Sequence, residues 1–143
     1  MISILYKATS LLLLLPSLAF GAIGEVTDYS GSGAVERDDG FEIFEVTDGL
    51  GVESMDVVIT EKGKVRIDFI DDTRVDITEH SRLIIDDFVY DPASGEGSLS
   101  LKAGLGTIRY ASGKIAKNSR QRVRIETPSA VVGVRGTDFA MIV

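Results

Sequence analysis

Carboxylates in adjacent pairs are the first residues of this chain with the makings of a chemical site. Asp38-Asp39, Asp71-Asp72 and Asp86-Asp87 each gather oxygen donors within two positions. Calcium takes roughly six to eight such oxygens from a shaped loop. None of the pairs has the spacing of a helix–loop–helix or nonapeptide calcium site, so they read as solvated turns. His80 is the single histidine; with no second imidazole to form a metal pair, it reads as a loop residue. Cysteine is absent, which excludes thiolate metal sites, a Cys nucleophile and disulfides. No Ser–His–Asp order, supported pair of catalytic carboxylates, phosphate loop or cofactor fingerprint can be defended. The expectation is a non-enzyme without cofactor or metal.

The basic residues are more suggestive. Arg109, Lys114, Lys117, Arg120, Arg122 and Arg124 fall close together in the last third of the chain. Arg122 and Arg124 are two apart and share one face of a strand. A candidate binding face therefore comprises Arg109, Lys117, Arg120, Arg122 and Arg124. It suits an anionic glycan, a lipid headgroup or an acidic partner, with Tyr90 or Tyr110 available as a platform for a sugar ring. The alternative is a solvated face set against the acidic half of the same chain. Net charge is −7, and residues 22–98 hold 20 of the 22 Asp and Glu. The two halves are expected to lie against each other. Long-range repulsion argues against nucleic acid as a partner.

The amino terminus reads as an export signal. Lys7 supplies positive charge, Leu11 to Leu15 form an apolar core, and Pro16 breaks the helix. Ala19-Phe20-Gly21 places small residues before a cut after Gly21. The competing reading is an uncleaved anchor, since a bilayer span needs roughly 20 apolar residues. Cleavage leaves residues 22–143, enough for one domain with its own core, no membrane span, and a periplasmic or secreted location.

Residues 22–40 are rich in Gly, Ser and Asp and read as a short first strand, 22–27, followed by loop. Residues 41–143 form the main domain, where period-two alternation predominates. Residues 55–60, 65–69 and 73–78 predict a meander of antiparallel strands; Val65, Ile67 and Phe69 face in, while Arg66 and Asp68 face out. Further strands are expected at 81–90 with a bend near Asp86-Asp87, 98–103, 107–110, 122–127 and within 131–143. A helical turn is expected near 113–119. Turn signals every eight to twelve residues predict an all-β fold: an irregular antiparallel sandwich, jelly-roll-like, or a solenoid-like stack of short strands. The alternating runs are too short for an outer-membrane barrel.

Taken in order, several segments resemble the FecR-type extracytoplasmic domain. Phe69 with Asp71-Asp72-Thr73 is similar to its F-x-D-G-T turn, and Ser81-Arg82-Leu83 to its S-x-L. Leu101 to Gly104 is similar to L-x-x-G. Thr127-Pro128 and Arg135-Gly136-Thr137-Asp138-Phe139 are similar to the closing T-P and R-G-T-x-F. The resemblance spans about residues 40–143 and implies an all-β domain outside the cytoplasm. It implies a non-catalytic, sensory or protein-interaction module of the cell envelope with a protein partner. The second expectation is a carbohydrate-binding or surface-structural protein. Thr127, Pro128, Arg135, Gly136, Thr137 and Phe139 are expected to be structural, with Thr137 and Asp138 bonded to the local turn. The resemblance departs at Asp72, where the family has Gly, and at the end of the chain. There an open edge at 141–143 would invite self-association, or a longer protein would continue.

Overall fold

The computed structural model describes residues 21–118, 122–134 and 138–143. The expected signal segment, Arg120 and the Arg135-Gly136-Thr137 triplet lie outside the described residues. The chain forms β1 (Gly24–Ser30), β2 (Gly33–Arg37), β3 (Glu42–Glu45), β4 (Gly51–Val52), β5 (Val57–Thr60), β6 (Lys64–Phe69) and β7 (Arg74–Ile77). It continues with β8 (Arg82–Tyr90), β9 (Gly97–Leu105), β10 (Thr107–Ala111), helix α1 (Lys114–Asn118), β11 (Val123–Glu126), β12 (Val131–Gly133) and β13 (Phe139–Ile142). These make two sheets, ordered β13-β10-β7-β6-β1-β4 and β12-β11-β9-β8-β5-β2-β3. The fold is an all-β sandwich. Pairing is antiparallel except where β11 runs parallel to β9.

Alternation builds the core. Val65, Ile67 and Phe69 of β6, Val75 and Ile77 of β7, and Ile108 and Tyr110 of β10 point inward from the first sheet. Val58, Leu83, Ile85, Leu99, Leu101, Val123 and Ile125 meet them from the second. Phe69 and Phe88 stack with ring centroids 5.4 Å apart.

Three expectations are corrected. The segment 28–40 is not loop: β2 lies in it and pairs with both β3 and β5. Its glycines mark a close approach rather than disorder. Gly31 takes φ +71°, and a Cβ there would overlap the Lys62 carbonyl, so the β1–β2 turn packs directly on the β5–β6 turn. The predicted meander also breaks. β6 and β7 pair, but β5 belongs to the other sheet and pairs with β2 and β8. Period-two alternation marks which residues face inward without saying which sheet a strand joins. Finally, β9 runs on through Gly104 to Leu105, and the turn falls at Gly106, with φ +98°. The bend in β8 is present as a register shift between Ile85 and Asp87.

Candidate functional site

The two acidic residues of the β6–β7 turn have opposite fates. Asp72 is exposed and takes φ +68°, serving where glycine would be easiest. Asp71 is fully buried, which corrects its reading as a solvated turn residue. Its carboxylate accepts from the Thr73 amide (3.0 Å), the Thr73 hydroxyl (2.8 Å) and the Ile115 amide (3.2 Å). Its carbonyl accepts from the Lys114 amide at 2.7 Å. Asp71 thus caps α1 from 44 residues away, and ties the turn to the helix. Asp138 likewise reaches across the fold, accepting from the Ser112 amide at 2.9 Å. Thr127 does close a local turn: its hydroxyl oxygen accepts from the Ala130 amide at 3.0 Å, beside exposed Pro128. Phe139 is half-buried, with its ring 5.4 Å from that of Tyr110. His80 is exposed. Among the described residues no group of three or more His, Asp or Glu is placed to hold a metal.

The four described cations of the predicted binding face, Arg109, Lys117, Arg122 and Arg124, do not share a face. Arg109 lies on the outside of the first sheet, in β10. Arg122 and Arg124 lie outside the second sheet, in a hollow with Asp86 and Asp87, where neighbouring Lys102 pairs with Asp86 at 3.2 Å. Lys117 is exposed on α1. The strands of the basic half lie together at one end of each sheet, β13-β10 in the first and β12-β11-β9 in the second, beside those of the acidic half; their division between two sheets disperses the basic cluster seen in the sequence. Tyr110 is only 2 % exposed and offers no platform to a sugar; Tyr90 is half-buried.

In place of that single patch the sandwich presents two distinct outer faces. The first sheet carries a charged lattice. A β-bulge in β1 between Val26 and Asp28 brings Asp28 opposite Arg66. Arg66 stands opposite Asp76 and Asp68 opposite Arg74, while Asp76 in turn faces Arg109. Arg66 binds Asp76 through two bonds of 2.6 and 3.1 Å, and Arg74 binds Asp68 through two of 2.7 and 3.1 Å. Arg74 holds the Asp68 carboxyl below its usual range, aided by the Thr27 hydroxyl. A depressed carboxyl pKa contributes stability that is present above pH about 4 and lost as pH falls through the folded value. Because the pair is solvent-exposed the contribution is small, under about 1 kcal/mol. Asp68→Asn is therefore expected to lower stability slightly at pH 7 and to flatten its decline below pH 4. Urea melts at pH 7 and pH 2.5 check this; an unchanged acid slope would rule the contribution out.

The second sheet presents an apolar outer face. Val57 stands opposite Ile84, and Ile59 opposite Ala34. All four side chains lie on the solvent side, because the alternate residues Val35, Val58, Leu83 and Ile85 are the buried ones. Along the same rows, beyond Glu36 and Arg82, come Ile43 and Leu105, which are 66 % and 58 % exposed. A half-solvated antiparallel sheet ordinarily shows polar residues here. The sequence signal for this face is the pair of unbroken triplets Val57-Val58-Ile59 and Leu83-Ile84-Ile85, which depart from period two.

Among the described residues no helix is long and apolar enough to cross a membrane. The family model described as FecR protein matches residues 55–143, more than half of the chain. No curated protein and no solved structure matches.

Proposed function

Since the chain belongs to the FecR family, we propose that it is a non-catalytic interaction module of the cell envelope that docks a protein partner on the apolar outer face of its second sheet. The observation that carries this reading is the cluster Ala34, Val57, Ile59 and Ile84, with exposed Ile43 and Leu105 beyond Glu36 and Arg82 on the same face. Contiguous apolar surface on a folded domain marks interaction sites. The flat shape of a sheet face suits another protein better than a small molecule, which favours concave pockets. Edge strand β3, which among the described residues pairs with β2 alone, adds an open backbone edge beside exposed Ile43. The family's sensory and regulatory character supports the same reading. Export through the leader at 1–21 places the module in the periplasm or outside the cell.

The test is affinity capture of the tagged protein from crosslinked envelope extract, alongside the Val57→Ser/Ile84→Ser variant. Both substitutions sit on the solvent side, so the fold is expected to persist, as circular dichroism would show. One stoichiometric partner should be recovered with the parent protein and lost, by at least about tenfold, with the variant. Recovery of the same partner by both would overturn the assignment to this face. Recovery of none by either would overturn the docking function.

A further inference from the structure

Among the described residues Arg109, at the middle of β10 on the outer face, is a cation that the charged lattice leaves over. Arg66 and Arg74 each have a carboxylate in a two-bonded pair. Arg109 faces Asp76 across β7 and Ala140 across β13, and Asp76 already accepts both donors of Arg66. Among the described residues Arg109 therefore stands without an ion pair. Two hollows meet at it. One, of about 260 Å³, is bounded by Asp28, Ser30, Lys64, Arg66 and Thr78 as well as Asp76 and Arg109. The other, of about 380 Å³, shares Asp76 and Arg109 and continues past Arg74 to Phe139 and Ala140. Together they form a trough across the sheet with Arg109 at its middle.

We propose that this trough binds an acidic oligosaccharide, with Arg109 taking the carboxylate of a uronic acid residue. A planar guanidinium with free donors matches a carboxylate through two parallel hydrogen bonds. The flanking Asp28 and Asp76 accept hydrogen bonds but repel anions, which disfavours a doubly charged phosphate or sulfate. Sugar hydroxyls satisfy those carboxylates as donors, and Ser30 and Thr78 supply further hydroxyl groups. Arg109 and, at the far side of the first hollow, Lys64 are cations set among acceptors, which complements a carboxylated, hydroxyl-rich oligosaccharide. The site lies on the opposite side of the sandwich from the apolar face and stands independently of it.

The experiment is an amide NMR titration of the purified protein with trigalacturonic acid, and with maltotriose as a neutral trisaccharide of equal length. Trigalacturonic acid is expected to perturb amides of Asp76, Thr78, Arg109 and Ala140. Arg109→Ala should weaken binding at least about tenfold, with an unchanged melting temperature. Arg124→Ala, on the other sheet, should bind as the parent does. The proposal fails if millimolar trigalacturonic acid causes no perturbation, if maltotriose binds equally well, if the perturbations map to Arg122 and Arg124, or if Arg109→Ala binds unchanged.

Discussion

Replacing Arg37 by Met is expected to cost about 3–5 kcal/mol of folding stability, a large part of what a domain of this size possesses. Asp56 is the reason. Its side chain is fully buried while that of Arg37 is 22 % exposed. The carboxylate accepts from Arg37 Nε at 2.9 Å and Nη2 at 2.8 Å, and from the Glu53 amide at 2.8 Å. The guanidinium also donates to the Gly51 carbonyl at 3.2 Å and lies over the Phe44 ring at 4.8 Å. Arg37 ends β2 in one sheet and Gly51 begins β4 in the other, so one side chain ties the two sheets together. Removing it leaves a buried carboxylate with a single amide donor. Removing Asp56 instead leaves a cation that can turn toward water, so Asp56→Asn should cost clearly less. The double variant Arg37→Met/Asp56→Leu should recover much of the loss, because a buried ion pair is costly to break but not to replace with apolar groups. Urea denaturation reads all three, with a midpoint shift of roughly 2 M for Arg37→Met. Equal losses from Arg37→Met and Asp56→Asn would sink this account.

The second large effect is at the junction of the β6–β7 turn with α1. Asp71→Ala is expected to cost about 2–4 kcal/mol, since it strands the buried amides of Thr73 and Ile115 and each unsatisfied group costs about 1–3 kcal/mol. Asp71→Asn should lose less. It keeps an acceptor oxygen, and the Thr73 hydroxyl can turn from donor to acceptor. Gly113→Ala should destabilise to a similar degree, because a Cβ there would overlap the Thr73 amide nitrogen and the Asp71 carbonyl oxygen. Hydrogen exchange at Ile115 separates this local account from a general loss of stability. Its amide protection should fall in Asp71→Ala by more than that of Val58, in the far sheet. A uniform fall across both sheets would show that the turn and helix are not a unit.

The Asp71 junction explains what the F-x-D-G-T resemblance encodes. Phe69 fills the core, Asp71 caps a distant helix and Thr73 locks that cap, while the position held here by Asp72 needs only positive φ. Ser81 is similar: its hydroxyl accepts from the Thr107 amide at 3.2 Å, and its amide donates to the Thr60 hydroxyl at 3.0 Å. It joins the start of β8 to β5 and β10, which explains a buried serine within S-x-L.

What the sequence determined by itself was local. Alternation placed Val65, Ile67, Phe69, Val75, Ile77, Val123 and Ile125 in the core, because side chains leave a strand on opposite sides in turn. Ordered short motifs pointed to the family, because turns and caps need particular residue types at fixed offsets. Tertiary structure decided whatever depended on which strands are neighbours. It sent β5 and β6 to different sheets, and it paired β11 with β9 in parallel. It divided one basic cluster between two faces and buried Asp71 and Asp56 against partners remote in the chain. Alternation is a property of a single strand and is unchanged by strand order. A binding face or a buried ion pair is made between strands, and its partners lie 6 to 44 positions apart, at separations that no local pattern specifies.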